Sequence, residues 1–134
     1  MLPKMLTLLP AFFSYFAVAA VLLVVFLLIY VNVTPYDEIS LIRQGNTAAS
    51  ISLSGALLGF AMPVANVIAH SDSLGDLAAW GAIAGVIQLL TYLVARFALP
   101  QLSEDIPAGK IAPAIFLAAL SLTVGLTNAA CMTY

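Results

Sequence analysis

The spacing of the charged residues limits the fold of this chain more than any other feature. Four stretches carry no Asp, Glu, Lys or Arg, and they cover residues 5–36, 44–71, 77–95 and 111–134. About 20 apolar helical residues cross a hydrocarbon core of roughly 30 Å, and each stretch meets or nearly meets that length. Only 7% of the chain is charged. The sequence therefore excludes a soluble fold and predicts an all-α membrane protein, a bundle of four transmembrane helices.

Prolines, glycines and polar runs set the bounds of the predicted spans. The first begins after Pro10 and ends before Thr34 and Pro35, since proline disfavours helix in the residue before it. Ser73 is the predicted N-cap of the third, with Asp76 at its third helical position. We expect one transmembrane domain, residues 1–134, with spans at about 11–33, 46–69, 74–98 and 108–132.

Residues 34–44 are predicted to form a short helix along the membrane interface. Thr34 would be its N-cap, Pro35 would occupy its first position, and Asp37 and Glu38 would lie in the first turn, where acids are favoured. This segment is also where we expect a soluble cytoplasmic partner protein to bind.

Orientation follows from the basic residues, which are retained on the cytoplasmic side. The loops after the first and third spans carry Arg43, Arg96 and Lys110, whereas the opposite side carries Lys4. Both termini are therefore predicted to lie in the periplasm.

The two halves of the chain resemble each other weakly. A shift of 64 residues superposes Gly45, Ala48, Ile51 and Leu53 on Gly109, Ala112, Ile115 and Leu117. One interpretation is a tandem duplication of a helical hairpin, which gives a parallel repeat because each unit has an even number of spans. The other is chance, because so biased a composition gives similar matches by itself.

Small residues indicate where the helices pack. Membrane helices associate where glycine lets two backbones approach, and glycine pairs four residues apart are typical of such contacts. The candidate packing residues are Gly55, Gly59, Gly81, Gly85 and Gly125. We expect the second, third and fourth spans to form the tight core, and the first to be the most exposed to lipid.

Polar side chains at membrane depth are the candidates for function, because each needs a partner away from lipid. They are Asn46, Ser50, Ser54, Asn66, Gln88, Ser121 and Asn128. One interpretation is a polar pathway or pocket, and the other is hydrogen bonding between helices. The absence of an ionisable residue deep in any span favours hydrogen bonding and argues against an ion-coupled pump.

Other kinds of site have little support. His70, Asp72 and Asp76 make a weak metal set, and the single cysteine, Cys131, has no partner ligands. Pro63 should kink the second span, and the carbonyl that it frees either marks that kink or coordinates a cation. We expect no bound metal or other cofactor, no nucleic acid as a partner and no enzymatic activity, because no nucleophile has a base within reach.

Several segments resemble the bacterial YjfL-type inner-membrane family, also called domain of unknown function family 350. They are Thr-Pro-Tyr-Asp-Glu at 34–38, Arg-Gln-Gly-Asn-Thr-Ala-Ala at 43–49, Gly-Ala-Leu-Leu-Gly-Phe-Ala-Met-Pro at 55–63, Trp-Gly at 80–81 and Gly-Leu-Thr-Asn-Ala-Ala-Cys-Met-Thr-Tyr at 125–134. The resemblance implies four spans built from paired hairpins and a location in the bacterial inner membrane. It implies no established activity.

Two functions remain open. The first is a passive pore or permeation subunit for small solutes or ions, assembled as a homo-oligomer in the lipid bilayer. The alternative is a membrane scaffold that anchors soluble partner proteins through residues 34–44.

Overall fold

Six helices make up the protein, as a computed structural model of residues 2–71 and 73–132 describes it. They are α1 (Leu2–Val33), α2 (Glu38–Arg43), α3 (Thr47–His70), α4 (Leu74–Ala98), α5 (Leu102–Asp105) and α6 (Ile111–Cys131). The four long helices are long and apolar enough to cross a membrane, which agrees with the predicted four-helix bundle. The short helices α2 and α5 lie at the same end of the bundle, and α5 was not predicted.

The first helix begins earlier than predicted. α1 begins at Leu2 and passes through Pro10, where the sequence had placed its start. A proline removes one backbone hydrogen bond without necessarily ending a helix, and the Ser14 hydroxyl donates to the Pro10 carbonyl at 2.8 Å. Most of α1 faces outward, with Ala19, Phe26 and Tyr30 as its buried residues. Among the four long helices α1 is the least buried within the chain, which agrees with the expectation that it is the span most exposed to lipid.

The predicted start of the interfacial helix was wrong. The N-cap is Asp37, whose carboxylate accepts from the Ser40 backbone N–H, and the first helical residue is Glu38. Thr34 instead turns its hydroxyl inward and donates to the Glu38 carboxylate at 2.6 Å. The Thr34 hydroxyl also lies 3.3 and 3.1 Å from the Val31 and Tyr36 carbonyls, so its contacts lie away from the free N–H groups of α2.

The start of α4 agrees with the prediction. The Ser73 hydroxyl accepts from the Asp76 backbone N–H at 3.3 Å, and Asp76 lies in the first turn. Arg96 lies in the last turn, where the helix dipole favours a cation.

The most extensive helix contact joins α3 to α6. A methyl group added to Gly55 would overlap Ala118, and one added to Gly59 would overlap the Ser121 carbonyl. A methyl group on Gly125 would overlap the backbone of Gly59. The two backbones therefore touch, and this closeness is available only to small residues.

Pro63 explains one feature of the close contact between α3 and α6, which we name the α3–α6 seam. It lies inside α3 and has no N–H to offer the Gly59 carbonyl, which faces Gly125 of α6 instead. A carbonyl that has lost its helical donor is free to make a close contact with a Cα–H group of the neighbouring helix. The proline thus accompanies the tightest approach between α3 and α6.

The glycine pair of α4 serves a different contact. A methyl group added to Gly81 would meet the Leu22 side chain of α1, and one added to Gly85 would touch Phe60 and Phe26. This pair therefore admits side chains of α1 and α3, and it does not bring α4 against a second backbone. The second, third and fourth spans contact one another as expected, and this pair adds a contact between α4 and α1.

The helix bounds repeat with the predicted shift of 64 residues. α2 and α5 begin at 38 and 102, and α3 and α6 begin at 47 and 111. Gly45 and Gly109 have φ angles of 85° and 83°, a region that favours glycine. Each lies two residues before its long helix. The duplication itself stays a prediction.

Candidate functional site

The polar residues predicted at membrane depth lie at three separate levels of the bundle. At the middle level, Gln88 is 1% exposed and its Nε2 donates to the Ser121 carbonyl at 3.0 Å. The amide also lies against Gly59. Gln88 and Ser121 thus come together as an α4–α6 contact. The Gln88 Oε1 atom has no partner among the described residues.

At the level of the α3 C-terminus, Asn66 ties α3 to the end of α6. Its Nδ2 donates to the carbonyls of Ala129 at 2.8 Å and Met132 at 3.0 Å. These are among the last carbonyls of a helix, which lack donors of their own. Asn128 lies nearby in sequence, and its buried Nδ2 has no partner within the described part of the chain.

At the opposite end, Asn46 closes two loops onto each other. Its Oδ1 accepts from the Ala49 backbone N–H as the N-cap of α3. Its Nδ2 donates to the carbonyls of Ile106 and Pro107, each at 3.1 Å. Asn46 therefore holds the loop before α6 against the start of α3.

The two remaining candidates lie on α3 away from these contacts. The Ser50 hydroxyl donates to the Thr47 carbonyl of its own helix at 2.8 Å. Ser54 is exposed on the outer surface of the bundle. The seven predicted residues therefore do not line one continuous surface within a single chain.

Sequence reasoning missed a buried polar cluster at the end that carries both short helices. Glu38 is 0% exposed, and around it lie Tyr30 of α1, Tyr36 of the loop and Tyr92 of α4. We name these four residues the Glu38 cluster. Each of the four groups lies within electrostatic range of the other three. The Tyr30 and Tyr92 rings meet edge to face, with centroids 5.8 Å apart.

Most of the polar atoms in this cluster lack partners. Glu38 Oε1 accepts from Thr34, but Glu38 Oε2 and the phenol oxygens of Tyr30, Tyr36 and Tyr92 have no hydrogen-bond partner among the described residues. The Tyr36 and Tyr92 phenols lie close enough to interact, and this interaction adds to the rise in the pKa of the Tyr36 phenol. Buried polar atoms are paired in nearly all proteins, so four unpaired oxygens in one place mark this cluster as a candidate binding site.

The electrostatics of the cluster follow from burial. Burial raises the pKa of the Glu38 carboxyl above 4.5, the nearby Asp37 adds to the rise, and the hydrogen bonds from Thr34 and the Glu38 backbone N–H oppose it. Burial is also the main cause that raises the pKa of the Tyr36 phenol. In the described ranges the ion pair is between Lys110 and Asp105, at 3.4 Å, so Glu38 has no cation beside it there.

A signal for this cluster exists in the weak repeat. The shift of 64 residues places Glu38 opposite Leu102, the first residue of α5. Both side chains are fully buried, one charged and the other apolar. A carboxylate at the position where the second half buries leucine marks Glu38 as different from an ordinary first-turn acid.

The bundle also has an apolar groove. A cavity of about 250 Å³ lies between α1 and α4, and its lining includes Leu22, Phe26, Phe60, Gly81 and Gly85. Such a surface suits hydrocarbon and offers no chemistry. No group of three metal-ligating side chains occurs among residues 2–71 and 73–132, and Asp72 of the weak set lies outside the described residues.

Known relatives agree with this architecture. The profile of the family described as Domain of Unknown Function (DUF350) matches residues 4–132. The UPF0719 inner membrane protein YjfL of Escherichia coli strain K12 is 42% identical over 124 residues, 92% of this chain and 94% of that protein. The UPF0719 transmembrane protein YshE of Bacillus subtilis strain 168 is 29% identical over 114 residues, 85% of each.

No solved structure gives a significant match. The relatives and the four apolar helices together make the chain a multi-pass protein of the inner membrane, embedded in the lipid bilayer. The match to the profile spans nearly the whole chain, and the chain therefore belongs to the DUF350 family, the UPF0719 inner membrane proteins.

Proposed function

We propose that this chain is a passive permeation subunit for small solutes or ions, and that its pathway runs between the copies of a homo-oligomer. The single observation that carries the proposal is the exposed Ser54 hydroxyl in the first half of α3. It makes no hydrogen bond to any described residue. A free hydroxyl facing hydrocarbon is unfavourable, so Ser54 needs water or a second chain beside it.

Neighbouring hydroxyls support this argument by contrast. Thr123 and Thr127, exposed on α6, donate to carbonyls of their own helix at 2.7 and 2.8 Å. A hydroxyl bonded in this way tolerates lipid, because its donor is satisfied. Ser54 has the same opportunity and does not take it.

Packing inside the chain favours a pathway between copies over one within a copy. Gly59 and Gly125 bring α3 and α6 into backbone contact, and the Gln88 amide closes the space beside them. Between the Asn46 and Asn66 levels, the buried Ser52 hydroxyl and the Gln88 amide donate to helix carbonyls, so among the described residues these groups are used for packing. We propose no catalytic role for the chain, and we propose that both termini face the periplasm.

Flux into liposomes tests the function. Purified protein should pass a small neutral solute such as glycerol, or potassium ions, faster than empty vesicles do. Ser54→Leu should reduce that flux several-fold, because leucine fills the pathway and removes its hydroxyl. Thr123→Val is the matched control, since its hydroxyl is already bonded to α6, and it should leave the flux unchanged. Flux no greater than that of empty vesicles would rule the proposal out.

The second candidate function is a scaffold, and the surface of α2 favours it. Ile39 and Ile42 are 44% and 37% exposed, and Arg43 lies beside them. Such a surface suits either the membrane interface or a soluble partner protein. A photo-crosslinker at Arg43 should trap one specific protein in cells if the chain is a scaffold, and recovery of lipid alone would contradict that role.

A further inference from the structure

Several buried oxygen atoms of the Glu38 cluster lack hydrogen-bond partners. Glu38 Oε2 and the phenol oxygens of Tyr30, Tyr36 and Tyr92 are all buried, and all lack a hydrogen-bond partner among the described residues. The side chains of Glu38, Tyr30 and Tyr92 are at most 1% exposed. Bulk water therefore does not satisfy these oxygens.

The charge at this place is also unbalanced. A buried carboxylate is costly unless it is paired with a cation or binds a proton. Arg96 lies one turn beyond Tyr92 on α4, but it is exposed and forms no ion pair with Glu38. Arg43 closes the far end of α2 and is also exposed. Arg96 acts electrostatically on Tyr92 at the edge of the cluster, but Glu38 forms no ion pair with any described side chain.

We propose that the Glu38 cluster is a binding site for one small monovalent cation of the alkali class. Oxygen atoms are the ligands that such hard cations take, and one carboxylate matches a single positive charge. The faces of aromatic rings attract a cation, and the Tyr30 and Tyr92 rings lie near the carboxylate, inclined at 71° to each other. A proton on Glu38 would leave the three phenol oxygens unpaired, whereas a bound cation would contact several of them.

The position of the site gives the cation a route. Tyr30 belongs to the end of α1, Tyr92 to the last turns of α4, and Glu38 to the first turn of α2. The cluster therefore lies at the membrane surface on the side of both short helices. A cation could reach it from water by a movement of α2 alone, without crossing the bundle. The site thus stands independently of the permeation pathway proposed between copies.

Direct binding tests the proposal on the full chain in detergent or nanodiscs. Radioactive sodium, added in choline buffer at about pH 8, should bind saturably with one ion per chain. Glu38→Gln should weaken binding at least ten-fold, because it removes the charge and keeps the shape. Glu104→Gln is the matched control, an exposed carboxylate on α5 whose loss should leave binding unchanged.

Tyrosine variants keep the test valid if Glu38→Gln fails to fold. Tyr92→Phe and Tyr36→Phe retain the rings and remove one ligand oxygen each, and each should weaken binding by several-fold. A parallel arm uses radioactive rubidium, since the site could prefer a larger ion. Saturable binding of neither ion, or binding that these variants leave unchanged, would overturn the proposal in favour of bound water.

A proton as sole occupant would also overturn it. Infrared spectra would then contain the carbonyl band of a protonated carboxylic acid, absent in Glu38→Gln, that persists at about pH 8 whatever the sodium concentration. The proposal expects sodium to remove that band. Liposome flux remains a separate measurement, so failure of the binding site and failure of the permeation function give different results.

Discussion

The side-chain amide of Gln88 donates a 3.0 Å hydrogen bond to the backbone carbonyl of Ser121, and this bond joins α4 to α6 at the centre of the bundle. Burying a glutamine at this depth costs free energy unless its amide forms a hydrogen bond. The carbonyl that it reaches belongs to the helix that also contacts Gly59. Gln88 therefore links α4 to α6 beside the close backbone contact between α3 and α6.

Replacing Gln88 by leucine tests that role. Gln88→Leu should lower the free energy of unfolding by about 1 kcal/mol, since hydrogen bonds between membrane helices contribute roughly 0.5 to 2 kcal/mol. Unfolding in mixed micelles measures the change, with Thr123→Val as a control whose hydroxyl bonds within its own helix. Flux through liposomes should stay as it is. A large loss of flux with unchanged stability would place Gln88 in the permeation pathway instead.

Adding a methyl group at the α3–α6 seam should be severely damaging. Gly125→Ala would drive its new methyl into the backbone of Gly59, which cannot move without separating the helices. We expect a loss of at least about 2 kcal/mol of stability, as for other overpacked interfaces.

Gly75→Ala is the matched control for that substitution. Its new methyl would meet the Ser73 hydroxyl at an ordinary 3.5 Å, in the first turn of α4. Thermal unfolding in detergent should leave Gly75→Ala near the parent protein. Equal stability of the Gly125→Ala and Gly75→Ala proteins would contradict the close backbone contact.

Protonation of Glu38 makes stability depend on pH. Burial raises the pKa of this carboxyl in the folded protein above 4.5, so the folded state binds the proton more tightly than the unfolded state. Stability from this group is therefore complete below about pH 4.5, and it is lost as pH rises through the raised pKa. Thermal unfolding in choline buffer should show this decline, and Glu38→Gln should flatten it.

The same measurement has a control and a link to the cation site. Glu104→Gln should leave the pH profile unchanged, because Glu104 is exposed on α5. Sodium should reduce the decline at high pH, since a bound cation stabilises the ionised carboxylate. Parallel pH profiles for the parent protein and Glu38→Gln would show that Glu38 does not carry the effect.

Orientation in the membrane is testable with cysteines. Gln101→Cys, placed in an exposed position of the loop before α5, should escape a thiol reagent confined to the periplasm when Cys131→Ala removes the native thiol. The reason is the excess of basic residues on that side. Labelling after the membrane is permeabilised is the positive control. Labelling in intact cells would reverse the topology.

The sequence by itself determined the number, order and approximate bounds of the four long helices. Charge-free length and capping residues act locally, and so Ser73 and Asp76 could be placed correctly without knowledge of any other helix. The small-residue pattern likewise placed Gly55, Gly59 and Gly125 where helices meet, because close approach requires glycine whichever helix is the partner.

Only the tertiary structure decided which helices those glycines join and which polar groups are buried. Gly81 contacts the Leu22 side chain of α1 and no second backbone, because the partner residue carries a long side chain. Glu38 was predicted only as an acid of a first turn, and its burial depends on Tyr30 and Tyr92, which approach from two other helices. Periodicity describes one helix at a time, whereas the environment of a side chain depends on the helices around it.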